Sequence, residues 1–139
     1  MNGNITNIYG AGLNNGAVRT NINVNVSART SRITNIYGGA KDSGNVNETN
    51  VNILNGSVNN VYGGNQNGGY TINSKVNIQK TAEVKNKLFA GGQNSDIGTS
   101  GTNGNAILNI TGGTISCDVN GGSDLGKVYG NTFVNIGKE

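Results

Sequence analysis

A chain of 139 residues supplies one domain, yet only 33% of it is apolar and Pro, Trp and His are absent, which excludes a packed core unless the few apolar residues are placed with unusual regularity. Glycine contributes 24 residues and asparagine 28, while ten Lys and Arg against seven Asp and Glu leave a formal charge of +3. That is too little charge for disorder driven by self-repulsion, and the cations are too scattered for a nucleic-acid footprint.

In chain order, the first element is Ile8-Tyr9-Gly10, followed by Thr20-Asn21-Ile22-Asn23-Val24-Asn25-Val26. In the latter, β-branched residues fall on one face and asparagines on the other, the period of two of a half-buried strand. Both motifs then recur in phase. Ile36-Tyr37-Gly38-Gly39 precedes Val51-Asn52-Ile53, and Val61-Tyr62-Gly63-Gly64 precedes Val76-Asn77-Ile78. Leu88-Phe89-Ala90-Gly91-Gly92 precedes Leu108-Asn109-Ile110, and the degenerate Val119-Asn120-Gly121-Gly122 precedes Val134-Asn135-Ile136. Spacings of 28, 25, 27 and 31 for the first motif and 27, 25, 32 and 26 for the second mark an internal repeat. No helical stripe is present, and Gly and Asn interrupt the chain too often for a helical solenoid.

The predicted fold is all-β: a right-handed parallel β-helix, or solenoid, of about five coils with a period of about 27 residues. A coil of that length holds two or three short strands, each paired with its equivalent about 4.8 Å away in the next coil. Inward Val, Ile and Leu then fill a narrow core, Asn stacks into amide ladders, and Gly-Gly after Tyr is read as a corner needing left-handed backbone angles. The short hexapeptide period of a left-handed helix is missing. A β-sandwich shares the alternation but leaves five in-phase copies unexplained. Residues 1–139 form a single domain, read as a fragment of a longer repeat protein, and the Gly-rich stretch 91–105 reads as an inserted mobile loop. Uncapped terminal coils predict self-association.

Four groups of residues are candidates for chemistry. The aromatic column Tyr9, Tyr37, Tyr62 and Phe89 offers a platform for sugar faces, or else its rings stack on one another at a corner. Lys75, Lys80, Lys85 and Lys87 form the densest basic stretch, suited to anionic glycans or to a solvated surface. Asp96 and Asp124 follow double glycines that faintly match a calcium-binding nonapeptide, without its third glycine or tandem copies; no other metal is expected without His. The acids Asp42, Glu48, Glu83, Asp96, Asp118, Asp124 and Glu139 fall at different phases of the repeat, so the pair needed to cleave a glycosidic bond is not evident and no catalytic residue is assigned. Cys117, alone in an alternating stretch, reads as a small core residue. No cofactor is implied, and no apolar run approaches the roughly 20 residues that cross a bilayer, so membrane insertion is not expected.

With NIYGAG, NIYGGA and NVYGGN separated by TNVNI-like strands, the chain resembles the Gly/Asn-rich repeats of bacterial cell-surface parallel β-helix proteins of the pectin-lyase-like and autotransporter-adhesin type. The resemblance covers nearly the whole chain and lies in repeat style. It implies an extracellular or cell-surface location and an adhesive or stalk role toward a polysaccharide or host glycan. The catalytic residues of pectate lyases have no counterpart here, so that activity is not carried over. The expected function is a structural section of an extracellular stalk or adhesin, with a carbohydrate-binding module of a secreted or phage-tail protein as the alternative and a polysaccharide lyase or hydrolase behind both.

Overall fold

The computed structural model describes residues 2–15 and 17–137. Its strands are β1 (Asn2–Tyr9), β2 (Val18–Val26), β3 (Thr30–Tyr37), β4 (Asn45–Ile53), β5 (Ser57–Tyr62), β6 (Asn67–Ile78), β7 (Glu83–Phe89), β8 (Asn94–Thr99), β9 (Thr102–Asn103), β10 (Ala106–Ile110), β11 (Thr114–Ile115), β12 (Val119–Asn120) and β13 (Thr132–Ile136). They form two ladders. One runs β1-β3-β5-β7, with β11 and β12 both pairing β7; the other runs β2-β4-β6-β10-β13, with β8 also on β6. Every pairing between coils is parallel, and the chain is an all-β solenoid of about five turns with a period near 27 residues.

The register converts the sequence repeat into columns. Ile8, Ile36, Val61, Leu88 and Val119 pair in succession, as do Val24, Val51, Val76, Leu108 and Val134. These residues point inward: Ile36, Val61, Leu88, Val51, Val76 and Leu108 are fully buried. β-Branched side chains suit such columns because each packs on its like above and below. Outward asparagines of the recurring motifs bond to one another from coil to coil. Asn52 donates its amide to Asn25, Asn77 to Asn52, Asn109 to Asn77 and Asn135 to Asn109, at 2.7–2.9 Å. A second ladder joins Asn35 to Asn7, Asn60 to Asn35 and Asn86 to Asn60, each at 2.8 Å.

Two expectations change. The Tyr-Gly corner requires space, not left-handed angles: Gly10, Gly38 and Gly63 carry no positive φ, but a Cβ on each would collide with the carbonyl oxygen of Gly38, Gly63 and Ala90 respectively. Left-handed residues instead sit at other turns, among them Asn15 (φ 49°), Ser43 (φ 54°) and Gly68 (φ +64°). Asp42 bridges both Asn14 and Asn67, so these three residues fall at one corner of consecutive coils. The stretch 91–105 is also not one loop. Asn94–Thr99 pairs with β6, as in Thr71↔Ile97, and the ladder resumes at Ser74↔Ala106. The extra residues are thus confined to the excursion between, where Gly98 and Thr99 fold back antiparallel onto Asn103 and Thr102. Composition could not separate these parts, because Gly98 sits in a strand with φ +76°.

Candidate functional site

The aromatic column becomes a spine. Ring centroids of Tyr9–Tyr37 and Tyr37–Tyr62 lie 5.2 Å apart and Tyr62–Phe89 5.4 Å apart, with planes within 7° of parallel. Tyr37 is 3% exposed and Tyr62 1%. A sugar platform needs free ring faces, and here the faces cover one another, so the column is a corner stack and not a glycan platform. Each hydroxyl reaches further along the stack: Tyr9 donates to Gln66 Oε1 at 2.7 Å, Tyr37 to Gln93 Oε1 at 3.0 Å and Tyr62 to Asp124 Oδ2 at 3.4 Å. Burial pushes all three phenols above their ordinary value. Asp42 adds to the effect at Tyr9, Tyr9 at Tyr37, and Asp124 with Tyr37 at Tyr62.

The four lysines do not converge. Lys75 lies on the second ladder in register with Asn50 and Ile107. Lys80 occupies the turn after β6 with φ 50°. Lys85 and Lys87 lie on β7 in the first ladder, and each meets an acid: Lys85–Glu83 at 3.6 Å and Lys87–Asp124 at 3.4 Å. A run in sequence is therefore spread over two sheets and a turn, because alternation and the corner send neighbours in different directions. Lys85 also lines a groove of about 280 Å³ with Arg32, Asn4, Thr34, Ser57 and Asn59.

Asp96 and Asp124 are not equivalent. Asp96 sits on β8 opposite Tyr70 and accepts the Lys127 backbone N–H at 2.8 Å, whereas Asp124 holds Tyr62 and Lys87. Among the described residues no three His, Cys, Asp or Glu side chains group as a metal site. Asp42 accepts from Asn67 at 3.3 Å, and Glu139 lies outside the described residues. Cys117 packs partly buried against the core, and burial together with Asp118 raises its thiol above the usual range, the opposite of an activated nucleophile.

What sequence reading missed is a depression of about 380 Å³ on the first three coils, around Tyr70. Tyr70 stands outside the Tyr-Gly motif, so the repeat gave no signal for it. The signal that existed was the departure itself: an aromatic residue where the preceding coil carries Asn45. Comparison with protein-family models, with curated proteins and with solved structures finds no match to this chain.

Proposed function

We propose that this chain is a structural section of an extracellular β-helical stalk or adhesin that presents a lateral binding surface. The observation that carries the reading is the way side chains are used. Inward columns, two amide ladders and the aromatic spine bind each coil to the next, which makes a rod whose length grows by repetition while its sides stay available. No residue is assigned a chemical step. Brief protease treatment of intact source cells tests the location: peptides of this chain released before lysis are expected, and their release only after lysis would overturn the surface reading.

Self-association belongs to the same proposal. Val134 is 43% and Ile136 73% exposed, although their column partners Leu108, Val76, Ile78 and Ile53 are fully buried. The second ladder is also polar. Asn135 donates to Asn109, and its own acceptor has no partner among the described residues, while on the opposite side of the ladder Asn25 accepts from Asn52. A second copy stacked with its β2 on β13 would cover Val134 and Ile136 and continue the amide ladder. Sedimentation across a wide concentration range is expected to show oligomers that V134S/I136S loses; a strictly monomeric parent chain would refute this part.

A further inference from the structure

The groove around Tyr70 lies outside both amide ladders, and it sets an aromatic ring beside polar side chains that the ladders do not occupy. The ladder asparagines satisfy one another, but the amides of Asn45 and Asn47 and the hydroxyl of Tyr70 have no hydrogen-bond partner among the described residues. The register explains how they meet. Asn45 pairs with Tyr70 and Val46 with Thr71, and Val46 and Thr71 point into the core. Strand alternation therefore sends Asn45, Asn47, Tyr70 and Ile72 outward together. The half-buried Tyr70 ring, with Val18 and Ile72, supplies an apolar wall, and the two amides supply paired donors and acceptors beside it. None of the described lining residues is charged.

We propose that this groove binds a neutral pyranose unit of a glycan, one C–H-rich sugar face on the Tyr70 ring and vicinal hydroxyls on the Asn45 and Asn47 amides. The inference rests on the reading of the solenoid as a lateral binding surface and names the place on it. Its volume falls near the lower end of ligand sites, roughly 300–1,000 Å³, which suits one or two sugar rings. A sugar has both faces this site requires, an apolar ring face and a rim of hydroxyls. Uronate or sulfate groups would gain no ion pair from the described residues of this wall and would be drawn instead to the groove that Arg32 and Lys85 line.

The test is an NMR titration of the intact chain that follows the Asn side-chain amides, with methyl glucoside, lactose and cellobiose as neutral probes and glucuronate as the charged one. Saturable shifts at Asn45 and Asn47 with at least one neutral probe are expected. The apparent affinity should weaken about tenfold or more in Tyr70→Ala, roughly the step that 1.4 kcal/mol represents, and persist in Tyr70→Phe. Unchanged ladder-amide signals in Tyr70→Ala show that the fold is retained. No saturable shift with any neutral probe overturns the proposal, as does a response to glucuronate alone or equal affinity in Tyr70→Ala. Equal affinity with shifts mapping to another column would remove this site and leave the lateral-surface reading standing. That reading fails separately, on the protease experiment.

Discussion

Thr71 isolates a single buried hydroxyl. Its column neighbours are Val46 and Ile97, both buried, and its Oγ1 has no hydrogen-bond partner. Leaving a hydroxyl unpaired in such surroundings costs about 1–3 kcal/mol. Valine has the same shape and the same β preference, so Thr71→Val is expected to stabilise the fold by about 1–2 kcal/mol. Thr49 provides the counter-case: equally buried, it donates to the Gly63 carbonyl oxygen at 2.5 Å. Thr49→Val deprives that corner carbonyl of its side-chain donor and should destabilise by about 1–2 kcal/mol. Urea unfolding followed by circular dichroism reads both, the midpoints moving in opposite directions with an unchanged slope. If both variants shift the same way, satisfaction of the hydroxyl is not what decides their sign and the reasoning fails.

Three further outcomes follow from the same columns. Tyr62→Ala should lose about 3–5 kcal/mol in urea unfolding, because it empties a buried place between two rings, whereas Tyr70→Ala should stay within about 1 kcal/mol. Gly63→Ala should cost about 1–3 kcal/mol from collision with the Ala90 carbonyl, while Gly3→Ala, which meets nothing within 4 Å, should be neutral or slightly stabilising. Because the folded phenols of Tyr9, Tyr37 and Tyr62 are raised above 10.0, the unfolded chain releases their protons first. Stability is therefore held below about pH 10 and lost as pH rises through the folded values, and an ultraviolet tyrosinate titration should show these three ionising together with unfolding.

The repeat was legible because inward columns and amide ladders both require like residues at like phase, so Val24-Asn25-Val26 and its four successors announce their own stacking. The aromatic column was legible as a column, but its orientation was not. Whether Tyr37 faces solvent depends on the corner carrying it against Tyr9 and Tyr62, which is a property of three coils at once. Proximity in sequence misled for Lys75 to Lys87, since a corner separates residues that a list places side by side. The glycine corner was located correctly for the wrong physical reason: carbonyl oxygens of the next coil, not backbone angles, exclude a side chain from Gly38 and Gly63.

These misses share a cause that bears on where recognition sits. In a solenoid, the residues that obey the repeat are held by their own copies one coil away: the ladder amides by other amides, the rings by other rings, the inward residues by the core. Obedience to the repeat therefore removes a side chain from the pool available to a ligand. Free binding groups accumulate where a column changes residue type, as at Asn45 to Tyr70, or from Asn4 to Arg32 to Ser57. A strong repeat signal thus identifies the scaffold, and the search for partners belongs at the positions that break it. This reverses the usual weighting of motifs: the column that looked most like a site is the one most fully satisfied within the chain.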